Sequence, residues 1–236
     1  MSDEVWKWNV NLSWELFSSA VYSYRKSLQS KYEHQRHMYY KNGLLSAVTS
    51  VEAYVNYYLI TEKGWSNNKL NKKSINYKLI FLGVDKEIYT DSKELRNEFI
   101  IHHKNKDHRY YNKINEQSLL NAIESAQEII AIINFNKKQM FPYWITGVNF
   151  INPSHNNDIS WSRDFEFWSH IKWLGCLNFN IYDFSGNLVY KIDDYKEYKS
   201  LYFELWKKIK EENFKFNFIR DKKYPMMPVL SCDFWD

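Results

Sequence analysis

The chain of 236 residues is poor in cysteine, in long apolar runs and in blocks of one charge sign. Its two cysteines, Cys176 and Cys232, lie far apart with no CxxC spacing, which excludes the usual structural zinc site and a disulfide framework. Two thiols in a reducing compartment are the expectation, with a single bridge between them as the alternative. No apolar run approaches the roughly 18 residues that a membrane span needs. The opening Met1-Ser2-Asp3-Glu4, followed by Trp6 and Trp8, lacks the basic and apolar regions of a signal peptide. A cytoplasmic protein without a membrane partner is therefore expected. The net charge of +4 is spread along the chain, which suits an anionic partner without demanding one. Internal repeats and low-complexity tracts are absent too.

What is present is apolar and aromatic. Hydrophobic residues make up 44% and aromatics 19%, which rules out a disordered chain. Helical spacing predicts a first helix over 13 to about 34, capped by Ser13, with Leu16, Phe17, Ala20, Val21, Tyr24 and Leu28 inward. A second helix is expected over about 36–62, ending near Gly64, with Leu44, Val48, Val51, Val55 and Tyr58 as its apolar stripe. Beside that stripe, Glu52 and Asn56 stack on one side. They form a solvated face, or they reach Arg96 or Asn97 on a facing helix, where a carboxylate holds a guanidinium well. His34 and His37 fall near an expected bend. Their spacing permits a metal, but no Cys or Asp cluster supports one, and no metal site is assigned.

After a polar loop over 64–73, Ser74 caps a short helix, Ile75 to Leu82, with Tyr77, Leu79, Ile80 and Phe81 as anchors and Gly83 as its stop. Residues 84–90 read as a connection. Asp91 or Ser92 then caps a helix carrying Leu95-Arg96-Asn97-Glu98-Phe99-Ile100-Ile101-His102-His103-Lys104. Leu95, Phe99 and Ile100 bury one face of it, and polar groups on such a segment need partners or a cleft. Lys104 to Asn112 is a basic-aromatic loop, either solvated or a lip for phosphate contact and base stacking through Lys104, Arg109 and Tyr110. Residues 115 to about 137 form the last helix of this half, with Leu119, Ile123, Ala126, Ile130 and Ile133 buried.

Near residue 140 the pattern changes. Strand signals run from Trp144 to Ile151. Leu177–Tyr182 and Leu188–Ile192 flank Ser185-Gly186-Asn187 as a hairpin. Tyr195 to Glu211 is a helix, and Phe214 to Ile219 a further strand. The fold class is mainly α: a helical domain over 1–140, then a smaller α+β domain over 141–236 with no assigned role. Its many Trp and Tyr residues read as core rather than a stacking platform.

The helical half resembles the HEPN superfamily over about residues 13–137. Glu52-Ala53-Tyr54-Val55-Asn56 looks like an "EA-x-x-N" helix of its bacterial relatives, and Arg96 to His102 looks like the Arg-polar-spacer-His signature. The resemblance implies a HEPN-like antiparallel bundle that forms a homodimer, bringing two motifs together. It implies a metal-independent endoribonuclease of toxin or phage-defence type, acting on RNA without a cofactor and kept in check by an antitoxin or other partner protein. Arg96 then stabilises phosphate charge, Asn97 orients substrate or arginine, and His102 moves protons during 2′-hydroxyl attack. Glu52, Asn56, Lys104, Arg109 and Tyr110 line the substrate path. The histidine is open: His102 fits the resemblance, while at about 100° per residue His103 falls beneath Arg96 on an unbroken helix. Against catalysis stands a structural reading. In it Arg96, Asn97 and His102 form a satisfied polar network in a non-catalytic dimeric interaction or ligand-sensing module.

Overall fold

The computed structural model describes residues 12–101, 112–139, 141–146, 180–182 and 188–210. Among them the fold is mainly helical. It runs α1 (Leu12–Gln29), α2 (Glu33–Thr61), α3 (Asn67–Asn71), α4 (Ile75–Phe81), α5 (Glu87–Leu95) leading into a π-helical turn (Arg96–Ile101), and α6 (Glu116–Asn136). A 3-10 turn (Tyr143–Thr146), β1 (Asn180–Tyr182), β2 (Leu188–Lys191) and α7 (Tyr195–Lys210) follow. No described helix is long and apolar enough to cross a membrane.

The central packing joins α1, α2 and α6. Leu44, Val48, Val51, Val55 and Tyr58 of α2 are buried as their spacing predicts, in one core with Leu119, Ile123, Ala126, Ile130 and Ile133 of α6. Small residues bring the helices close: Ala20 and Ser23 of α1, and Gly43, Ala47 and Ser50 of α2, are all buried. The Ser27 and Ser50 hydroxyls donate back to Tyr24 and Ala47 carbonyls at 2.6 and 2.7 Å, so their burial leaves no donor stranded. At Gly43 the approach is closest. A Cβ there would stand 2.7 Å from Leu119 Cδ1 and 3.0 Å from Ser23 Cβ. Gly43→Val is expected to destabilise the chain by about 2–3 kcal/mol, because a branched side chain has to push α6 or α1 aside. Chemical denaturation measures it, and an unchanged midpoint would contradict the close packing.

Local capping explains most boundaries and corrects several expectations. Asn115 and Ser118 form a reciprocal cap on α6. Ser74 accepts from Tyr77 N and starts α4 as expected, and Gly83, at φ 73°, ends it. Ser13 is not a cap: it lies inside α1 and is buried. The break expected near His34 and His37 falls just before them, at residues 30–32, and His37 is buried within α2.

Neither Asp91 nor Ser92 opens the helix leading to Arg96. That helix begins at Glu87, whose N–H donates to the Asp85 carboxylate at 3.0 Å, and Ser92 is buried within it. The expected connection over 84–90 is therefore partly helix. In α4 only Leu79 among the four expected anchors is buried; Tyr77, Ile80 and Phe81 face solvent. Ile75, Lys78, Leu79 and Leu82 share the inward face at i, i+3, i+4, i+7 spacing, which leaves the aromatics on the other side.

Of the strand expected over Trp144 to Ile151, residues 144–146 lie instead in a 3-10 turn pinned by Gln127 Nε2, which donates to the Ile145 carbonyl at 2.6 Å; residues 147–151 lie outside the described residues. The hairpin is present, with Asn180 opposite Lys191 and Ile181 opposite Tyr190. Nothing described supports a separate α+β domain, however. Helix α7 places Tyr198, Tyr202 and Trp206 in the same core as α1, α2 and α6. The strand expected over Phe214 to Ile219 lies outside the described residues.

Candidate functional site

Four elements meet around Glu52. It sits mid-way along α2, one position beyond the buried stripe, with its side chain 30% exposed. Arg96 comes from the first residue of the π-turn and Tyr89 from α5. Arg96 Nη1 lies 3.0 Å from Glu52 Oε1, and its Nε donates to Asn97 Oδ1 at 3.1 Å. The buried Tyr89 hydroxyl donates to Glu52 Oε1 at 3.0 Å and lies 3.3 Å from the Val48 carbonyl. Burial, and next the nearby Glu52 charge, push the Tyr89 phenol up, which keeps it a donor at every ordinary pH.

Asn56, one turn along α2, serves another cation. Its Oδ1 accepts from Lys78 Nζ at 2.7 Å. Lys78 is buried on the inward face of α4. Desolvation pushes its ammonium down from the usual lysine value, and the Glu52 charge opposes that shift. Glu52 thus pairs directly with Arg96, while Lys78 bonds Asn56 and feels the Glu52 charge from farther off.

Of the two readings left open for this face, Glu52 follows the one that reaches Arg96, whereas Asn56 turns to Lys78 and not to Arg96 or Asn97. Tyr89 and Lys78 were not anticipated. Tyr89 shares a helical face with Ser92 and Arg96, at i, i+3, i+7, so starting the helix earlier would have found it. Lys78 falls on the face of Ile75, Leu79 and Leu82, so the helical period would have found it too.

No protein-family model, curated protein or solved structure matches the chain. The chemistry of the site therefore rests on its own residues. His102, His103, Lys104, Arg109 and Tyr110 lie outside the described residues. The π-turn does remove one argument about them. An i→i+5 ladder fits an extra residue into the turn, so the 100° count that sets His103 beneath Arg96 does not carry across 96–101.

A concavity of about 130 Å³ lies toward the N-terminal end of α2, away from Glu52, lined by Glu33, Arg36, His37, Tyr40, Asn112, Ile114 and Asn115. Burial holds the His37 imidazole below its ordinary value, with Lys41 adding to that shift and a backbone hydrogen bond at Ile114 opposing it. His34 is exposed, with its ring 5.9 Å from Tyr32. Among the described residues no three His, Cys, Asp or Glu side chains group as a metal site.

Proposed function

We propose that the chain is a HEPN-like helical module that works by binding a partner protein and a second copy of itself, with Glu52, Tyr89, Arg96 and Asn97 as the clamp that fastens the π-turn to α2. What supports this reading is the burial of Arg96. It is 8% exposed, and Nη1 and Nε are both engaged inside the chain. A guanidinium that steadies a reacting phosphate has to offer it a donor edge, and this one turns Nη1 to Glu52 and Nε to Asn97.

The second reading is the metal-independent endoribonuclease of toxin or phage-defence type. One observation favours it: π-helical turns are rare and frequent at functional sites, and this one starts at Arg96. There, Arg96 bears on the phosphate, Asn97 orients it, and His102 or His103 exchanges the proton. The two readings part in one assay. Purified chain is incubated with total RNA in EDTA, beside His102→Ala, His103→Ala and Arg96→Ala. The module reading expects intact RNA throughout. Cleavage by the native chain that disappears in a folded histidine variant overturns it and leaves the nuclease.

A further inference from the structure

We propose that the outer face of α3–α4 is a docking surface for single-stranded RNA, with bases stacking on Tyr77 and Phe81 and phosphates meeting Lys69, Lys72 and Lys73. The proposal concerns a face distinct from the Arg96 cluster and does not depend on how that cluster is read.

Helix α4 is inverted relative to its composition. It buries Lys78 and turns Tyr77, Ile80 and Phe81 outward at 47%, 59% and 49% exposure. These three positions are neighbours at i, i+3 and i+4. Both halves of that arrangement are unfavourable for folding alone: a lysine loses water, and three large apolar side chains keep theirs. Beneath them lies a rigid floor. Trp65 is buried, with its ring centroid 5.0 Å from Phe81 and 6.5 Å from Tyr77. The outward rings therefore each rest one side on the indole and leave the rest to solvent.

Charge says what fits. Between residues 63 and 84 the chain has Lys63, Lys69, Lys72, Lys73 and Lys78 and no acidic residue. The flanking Glu62 is held by Lys137 at 3.1 Å. Lys69 Nζ lies 4.1 Å from the Trp65 ring and Lys73 Nζ 4.5 Å from the Tyr77 ring. Flexible stems let these ammonium groups swing to phosphates while bases take the ring faces. A second copy would set lysines against lysines. An acidic peptide would satisfy the lysines but leave the rings unfilled. A polynucleotide supplies anions and flat rings in alternation, which is how single strands are bound. The rim is rich in small polar side chains, Ser66, Asn67, Asn68, Asn71 and Ser74, all exposed, which suits the donor and acceptor of a ribose 2′-hydroxyl.

The test is fluorescence anisotropy with the full chain and a labelled mixed-sequence single-stranded RNA of about 15 nucleotides, a length chosen to exceed the several-nucleotide site sizes of such grooves. Tyr77→Ala/Phe81→Ala is expected to weaken binding at least about tenfold. Lys72→Glu/Lys73→Glu is expected to weaken it and to flatten the log–log salt dependence by about 0.7 per lost phosphate contact. Lys72 and Lys73 are exposed, so the lysine variant should melt like the native chain, whereas the aromatic variant also uncovers Trp65 and should melt lower; the lysine variant decides the matter if the aromatic one misfolds. Absence of binding, or binding indifferent to both variants, overturns the proposal. So does equal affinity for DNA of the same sequence, or tighter binding of a polyglutamate peptide lost in the same variants.

Discussion

Arg96→Ala is expected to cost about 2–4 kcal/mol of stability, because removing one partner of a buried pair strands the other. For a chain of this length that corresponds to a fall of roughly 5–15 °C in melting temperature. What is stranded is the Glu52 carboxylate, which keeps the Tyr89 hydroxyl and loses its 3.0 Å guanidinium contact. The range sits below that of a fully sealed pair because the Glu52 side chain is 30% exposed and water screens it in part. Glu52→Gln should fall in the same range by the opposite route, leaving the buried Arg96 without its anion. The pair Glu52→Ala/Arg96→Ala should then be less damaging than the sum of its members, with a coupling of about 1–3 kcal/mol. Thermal melts of the four proteins measure this, and simple additivity would mean that the contact stabilises nothing. A clamp of this kind also predicts that RNA handling, if any, fails in Arg96→Ala only as folding fails.

Particular residues show where sequence reasoning reached and where it stopped. Long helices were legible: α2 and α6 each repeat their apolar stripe over several turns, so one misread position cannot shift the face. The Glu52–Arg96 pairing was also within reach, since a carboxylate beside an apolar stripe and a guanidinium on an apolar segment need each other. The start of α5 was not. Its N-cap position is Lys86, which makes no side-chain cap, and the Asp85 carboxylate does that work from one residue earlier, so a search for Ser or Asp at the boundary lands on 91 or 92. That error hid Tyr89. In α4 the failure has another cause. Seven residues give fewer than two turns, so side-chain identity outvotes period: Tyr77, Ile80 and Phe81 read as anchors, and Lys78 gets no assignment. The π-turn has no residue signature at all.

The other large effect falls on Trp206, and it bears on whether residue 140 divides the chain. Trp206 is 1% exposed; its ring lies 6.4 Å from Tyr24 of α1, and its indole N–H donates to Glu124 of α6 at 3.1 Å. Around it, Phe141 packs edge-on against Tyr198 and Tyr202, and Lys199 Nζ reaches Glu128 at 2.7 Å. Helix α7 therefore closes the flank of α1 and α6 that would otherwise present apolar surface to water. Trp206→Ala is expected to cost about 3–5 kcal/mol, since a cavity of that size opens between three helices that cannot all collapse into it. Trp206→Phe should cost clearly less, because it keeps most of the volume and loses the indole donor. In the alanine variant, helical circular dichroism and tryptophan fluorescence should lose their signals at one shared, lowered midpoint, as two probes do when a single core unfolds. If instead fluorescence melts early while most helical signal keeps its native midpoint, α7 belongs to a separately folding unit, and the division near residue 140 is real. Burial of Tyr198, Tyr202 and Trp206 in the core that α2 and α6 share argues for the first outcome.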